Sequence, residues 1–174
     1  MPSGWDFESQ AFRGERHATD RFECGESSLD RWLQEHAARA QARRVARTFV
    51  WCRPGTNQVL AYYSLAGHLL YRDDLPRSIG RGSPREVAAV LLTRLALDRS
   101  VQGRGAGRGL LAEALTRVVE SADSVASRFV VVDAVDEAAA AFYLHHQFAR
   151  VPRTLRLVLK VSAAALAVRP QDPA

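Results

Sequence analysis

The sequence predicts a mixed α/β fold, one sheet with helices on both faces. Three observations predict it. Stretches with helical apolar spacing alternate with short β-branched or aromatic runs. Turn chemistry at Pro54-Gly55-Thr56-Asn57 joins two such runs into a hairpin. A glycine-rich segment, Gln102-Gly103-Arg104-Gly105-Ala106-Gly107, stands between an apolar run and an amphipathic one, where a strand passes into a helix.

The elements follow in order. Residues 1–21 read as an edge strand and loop. Ser27-Ser28-Leu29-Asp30 reads as a helix start with Ser27 as the cap. Leu29, Trp32, Leu33, His36, Ala37 and Ala40 then form one apolar stripe, which carries the helix to about Arg44 and places Trp32, Leu33 and His36 in a core or interface. Residues 48–52 and 59–70 are the hairpin strands. Residues 71–83 form an arginine-bearing loop, and Ser83-Pro84-Arg85-Glu86 is able to open a helical turn. Residues 90–98 are apolar enough for a buried central strand. After the glycine loop, Leu110, Leu111, Ala114, Leu115, Val118 and Val119 mark the inner face of a helix over 109–122. Residues 129–134 form a fully apolar strand, 136–146 an alanine-rich helix, and 148–151 with 155–161 a closing antiparallel pair. Residues 1–169 are expected to be one domain, and 170–174 a disordered tail.

Composition narrows the function. The chain has 174 residues, 47% of them hydrophobic, which suffices for a core without disulfides or metal. Cys24 and Cys52 sit in no metal-binding pattern, and no metal is expected. His145-His146 with Asp133 and Asp136 lacks ligand spacing. No apolar run reaches membrane-spanning length, and the polar start with Asp6 and Glu8 is unlike a secretion signal; a cytoplasmic protein is expected. The net charge is +5, unevenly distributed. Residues 36–60 carry five Arg and no acid, and residues 72–108 carry eight Arg against four acids. Such blocks suit a polyanion, although a chain whose 24 basic residues include a single Lys also fits a biased base composition.

The glycine loop carries the sharpest chemistry. Glycines let a backbone turn and present N–H groups without Cβ obstruction, and a helix N-terminus favours anions. Arg104 and Arg108 add charge at the same end. Together they suit a pyrophosphate. No Gly-Lys-Ser/Thr triplet supports a Walker loop. A dinucleotide fingerprint read at Gly107, Gly109 and Ala112 starts inside the helix rather than after the strand.

With Leu95-Ala96-Leu97-Asp98 before this loop and Ala141-Phe142-Tyr143 after it, the chain resembles the GNAT superfamily of N-acetyltransferases. Cys24-Gly25, Leu29-Asp30-x-Trp32-Leu33, Thr48-Phe49-Val50, Tyr62-Tyr63-Ser64-Leu65 and Arg94-Leu95-Ala96-Leu97-Asp98 are similar to GNAT-type toxins of type II toxin–antitoxin modules. The resemblance covers residues 22–160. It implies a twisted, mostly antiparallel sheet, splayed at a central parallel pair between the strands at Leu95 and Val131, with acetyl-CoA in the gap. Leu95, Ala96 and Leu97 would offer backbone to the pantetheine arm, and Gln102, Gly103, Arg104, Gly105, Ala106, Gly107 and Arg108 would bind the pyrophosphate. Tyr143 would protonate the departing thiolate, and a backbone N–H near Leu97 would hold the oxyanion. Two positions depart from the family pattern: Gln147 stands where Gly usually precedes Phe, which should alter the turn there, and Ala61 stands where Gly is usual.

No Glu or His stands on the central strand, and Asp98 is expected to face the loop. A lysine amine, pKa about 10.4, needs a base far more than an α-amine at about 7.7–8.0. The acceptor implied is the α-amino group of an aminoacyl-tRNA, whose acetylation blocks translation. Arg43 and Arg44, near Arg39 and Arg47, with Arg77, Arg81 and Arg85, near Arg72, are the candidate tRNA contacts. The resemblance further implies a homodimer and a ribbon-helix-helix antitoxin through which operator DNA is reached. A metabolic or protein N-acetyltransferase, and a non-catalytic CoA- or tRNA-binding module, are the alternatives.

Overall fold

The structure, a computed structural model, describes residues Phe7–Arg169. The expected tail at 170–174 lies outside them. The elements are β1 (Glu8–Ala11), α1 (Ser27–Arg31) running through a π-helical turn (Trp32–His36) into α2 (Ala37–Ala42), β2 (Arg47–Cys52), β3 (Val59–Tyr71), α3 (Arg77–Gly80), β4 (Glu86–Leu97), α4 (Ala106–Ala122), β5 (Phe129–Asp133), α5 (Glu137–His145), β6 (Ala149–Arg150), β7 (Arg156–Lys160) and α6 (Val161–Val168). The seven strands pair in the order β1-β2-β3-β4-β5-β7-β6. β4 and β5 run parallel, while β1–β2, β2–β3, β5–β7 and β6–β7 are antiparallel. The expected mixed sheet is therefore present.

Two compact units form, one from the chain up to Ala66 with Thr93–Glu113, the other from Gly67–Leu92 with the chain from Ala114 onward. In the first, Phe12, Phe22, Leu33, Ala37, Val50, Cys52, Val59, Tyr62 and Ala96 share a core. Thr48 and Ser64 face each other across β2 and β3, and their buried hydroxyls satisfy one another at 2.7 Å. In the second, Leu70, Leu75, Val87, Ala89, Phe129, Val131 and Val158 pack together. The parallel ladder runs from Ala89↔Phe129 to Leu92↔Val132, and β4 continues five residues past it to Leu97.

Several elements differ from the sequence reading. The cap of α1 is Glu26, not Ser27: its carboxylate accepts from the Ser28 N–H, and Asp30 turns back to accept from Cys24 N–H at 2.8 Å. His36 is exposed rather than in the core. The wider π turn passes the inward position after Leu33 on to Ala37, which is fully buried. Trp32 is half-buried beside the core. Ser83-Pro84-Arg85 opens no helix; β4 begins at Glu86, four residues earlier than its apolar run suggests, because its first residues alternate exposed and buried. A short helix, α3, interrupts the arginine loop. α4 starts at Ala106, so the last glycine-loop residues are its first turn. α6 extends the chain where the reading stopped at a strand.

Gln147 also departs from expectation. It adopts φ 71°, the left-handed value usually left to glycine. Gln147 N–H donates to Leu144 O and Phe148 N–H to Tyr143 O, so the usual helix-ending motif survives with a glutamine in it.

Candidate active site

The first unit contains every residue expected to hold the coenzyme. β4 is the fourth of seven strands, yet Thr93, Arg94, Leu95 and Leu97 are only half-buried. A strand in that position is ordinarily covered, so its last five residues form open, partly apolar floor. Ala96 points into the core and is buried, leaving only its backbone for a ligand.

Asp98 ends the strand and fixes the turn. One carboxylate oxygen accepts from the Ser100 N–H and hydroxyl, the other from Glu23 N–H at 3.0 Å. These bonds hold its carboxyl below the ordinary pKa although burial opposes ionisation. Both oxygens are occupied, so Asp98 is a structural residue rather than a base. Gln102 performs a similar task. Its side-chain amide donates to Leu97 O and Cys24 O, each at 2.7 Å. The glutamine thus holds the loop against β4 instead of pointing outward, and the Leu97 carbonyl is taken.

Gly103 and Gly105 adopt φ 73° and 81°, and a Cβ at either would meet nothing within 4 Å. Glycine is required there by the backbone, and the space above is open. Gly105 directly precedes α4 and has no side chain with which to cap it, so the first-turn N–H groups, which have no intrahelical partner, stand next to the open space above the glycines. Arg104 and Arg108 are exposed on either side, Ala106 is buried beneath, and Gly107 is half-buried. An uncapped helix end with left-handed glycines and two cations fits a pyrophosphate.

A second set of residues positions this helix, and the sequence reading missed it. Glu113, one face of α4, accepts from Ser9 Oγ, Trp51 Nε1 and, at 2.8 Å, the Tyr63 hydroxyl. Trp51 lies under Gly109. The available signal was a single carboxylate at the edge of the apolar face formed by Leu110, Leu111, Ala114 and Leu115.

The second unit carries Tyr143 on α5. The ring is 6% exposed, with Phe142 and Phe148 edge-on at 5.2 and 5.4 Å. Burial pushes its phenol well above the ordinary range. Arg77, Arg81 and Arg85 are exposed in this unit, with no ion pair among the described residues. Arg72, Arg77 and Arg81 line a cavity of about 480 Å³. Arg43 and Arg44 are exposed in the first unit at the end of α2. Burial, then its bond with Asp30, push the Cys24 thiol up to about 12, which disfavours the thiolate. No group of three or more His, Cys, Asp or Glu gathers among the described residues. Nor, among them, is any helix long and apolar enough to cross a membrane.

Comparison with known proteins agrees with this geometry. The family model described as "Acetyltransferase (GNAT) family" matches residues 15–148. A tRNA-acetylating toxin of Mycobacterium tuberculosis (strain ATCC 25618 / H37Rv) is 38% identical over 148 residues, 83% of this chain and 88% of its own length. The structure of AtaT complexed with acetyl-methionyl-tRNAfMet superposes with TM-score 0.85 at 29% identity, covering 94% of this chain and 100% of AtaT. A tyrosine-to-phenylalanine mutant of AtaT, bound to the C-terminus of the antitoxin AtaR and acetyl-CoA, gives 0.80 at 28% identity over 93% and 98%. On the strength of its anion-ready helix, its half-open central strand and a family match across most of its length, the chain belongs to the GNAT family of acetyltransferases.

Proposed function

We propose that the chain acetylates the α-amino group of aminoacyl-tRNA with acetyl-CoA as donor, and so blocks translation. The observation that carries this reading is the uncapped N-terminus of α4 with its left-handed glycines, placed directly after the half-open end of β4. The 38% identity to a tRNA-acetylating toxin supports the choice of acceptor.

The residues divide the work as follows. Backbone N–H groups from Gly103 to Arg108 hold the pyrophosphate, with Arg104 and Arg108 adding charge. Backbone groups of Leu95, Ala96 and Leu97 line the pantetheine arm, and a backbone N–H near Leu97 stabilises the oxyanion. The amine attacks the thioester carbonyl, the C–S bond breaks, Tyr143 protonates the leaving thiolate, and the proton released from the acetylated nitrogen passes through solvent and restores the phenol. With Asp98 fully engaged, the half-open end of β4, residues 93–97, offers no base. An α-amine activated by its neighbouring ester is the acceptor least in need of one.

Arg43, Arg44, Arg77, Arg81 and Arg85 contact the tRNA backbone in this reading. The protein acts in the cytoplasm as a homodimer. A ribbon-helix-helix antitoxin neutralises it and carries the pair to operator DNA. AtaT with AtaR is a structural precedent for a toxin held by an antitoxin.

The test is labelled acetyl-CoA with charged tRNA, wild type against Tyr143→Phe. Label on the aminoacyl group, lost in the variant, supports the reading. Label on free lysine with none on charged tRNA refutes it.

A further inference from the structure

We infer that Arg94 is a binding residue for a phosphodiester at the acceptor end of the nucleic acid, on the sheet face opposite the coenzyme helix; this rests on the acceptor proposed above. The guanidinium carbon of Arg94 lies 4.3 Å from the centre of the Trp32 ring. Trp32 is stacked with Tyr62 at 6.0 Å and 11°. Phe22 meets Tyr62 edge-on, and the Tyr62 hydroxyl donates to Leu29 O at 2.8 Å. The arginine is therefore held by a rigid aromatic shelf.

What it lacks is a partner. A guanidinium offers five N–H donors, and a half-buried one ordinarily finds a carboxylate or a carbonyl. Among the described residues Arg94 forms no ion pair and no hydrogen bond. Of the charged groups around it, only the Tyr62 phenol acts on Arg94, and no carboxylate does. Burial lowers its pKa from the usual arginine value, as expected of a desolvated cation without a counter-ion.

The faces of the strands identify the ligand. Successive side chains alternate. Tyr62 points to the α1 side, where it meets Trp32, while Tyr63 points to the α4 side, where it meets Glu113. Arg94 stands with Ala96 on the Tyr62 side. The helix that cradles the pyrophosphate lies on the Tyr63 side. An anion reaching Arg94 thus belongs to the acceptor and not to the coenzyme. In an aminoacyl-tRNA the anions nearest the reacting amine are the phosphodiesters of the single-stranded end. A planar fork beside an aromatic ring matches that chemistry.

The experiment compares wild type, Arg94→Gln and Arg94→Lys in full-length protein, using charged tRNA and acetyl-CoA. Arg94→Gln should raise the KM for charged tRNA about tenfold or more and leave that for acetyl-CoA unchanged. Its plot of log affinity against log salt should be shallower by about 0.7, one single-strand phosphate contact. Arg94→Lys should keep the wild-type salt slope with a smaller rise in KM, because lysine retains charge without the planar fork. A wild-type slope in Arg94→Gln, or equal rises in both KM values, overturns the assignment while leaving the acceptor reading intact. Wild type that does not modify charged tRNA overturns both.

Discussion

The ring of Trp51 lies 3.2 Å from where a side chain at Gly109 would begin. A Cβ at position 109 would force the Trp51 ring back by a few tenths of an ångström, so glycine lets α4 rest closest on β2. The same tryptophan donates its indole N–H to Glu113 one turn later, so contact and hydrogen bond fix the helix together. Gly109→Val should destabilise the protein by about 1–3 kcal/mol through overpacking, read as a lower urea midpoint. It should also raise the KM for acetyl-CoA, since the displaced turn is the one proposed to hold the pyrophosphate. An unchanged midpoint would mean that Trp51 moves aside freely.

Gln147 offers the opposite opportunity. Its left-handed backbone costs a side-chain-bearing residue about 1–2 kcal/mol. Glycine removes that cost but gives back about 0.5–1 kcal/mol in unfolded-state freedom. Gln147→Gly should thus stabilise by about 0.5–1 kcal/mol, within reach of thermal or urea unfolding.

Asp98 links stability to acid. Its carboxyl is held below the ordinary value by hydrogen bonds from Ser100 and Glu23. A depressed folded-state pKa gives stability that is present above the unfolded pKa of about 4 and lost as pH falls through the folded value. Asp98→Asn should cost about 1–3 kcal/mol at neutral pH. That difference from wild type should shrink in unfolding measurements carried below about pH 4.

The phenols of Tyr62 and Tyr143 behave in the reverse sense. Burial raises both above the ordinary tyrosine value. A raised phenol gives stability that is complete below the unfolded pKa of about 10 and is lost as pH climbs toward the folded value. Alkaline unfolding should be delayed in Tyr62→Phe and Tyr143→Phe relative to their neutral-pH stabilities. For the transfer step, Tyr143 stays protonated through the whole working range. Tyr143→Phe should lower kcat by about 10²–10⁴-fold. Wild-type kcat should show no alkaline fall from this group below about pH 10.

Much of this was legible from residues. The hairpin at residues 48–70, the helix after the glycine loop and the helix bearing Tyr143 each announce themselves by periodicity or turn chemistry, and the order of elements then implies the mixed sheet. The ends were harder. β4 begins early because its first residues alternate like an edge, and α6 has the composition of a buried strand, since alanine and valine on a short helix carry no clear period. His36 was misplaced because a π turn is invisible to a count that assumes 3.6 residues per turn. Within the site, the glycines could be placed by their chemistry. The bond of Gln102 to Cys24, the tie of Glu113 to Trp51 and Tyr63, and the seat of Arg94 on Trp32 join residues 50 to 78 positions apart, and no local pattern encodes such distances.

Gln102 has one last implication. Its amide pins the glycine loop to Leu97 and Cys24 through two hydrogen bonds from the protein itself. In the role proposed for this loop, those two bonds reduce the freedom it gives up when a diphosphate arrives. Recognition in that proposed role is lock-like. It favours fast capture and a residence time governed by how readily the anion escapes, not by how slowly the protein rearranges.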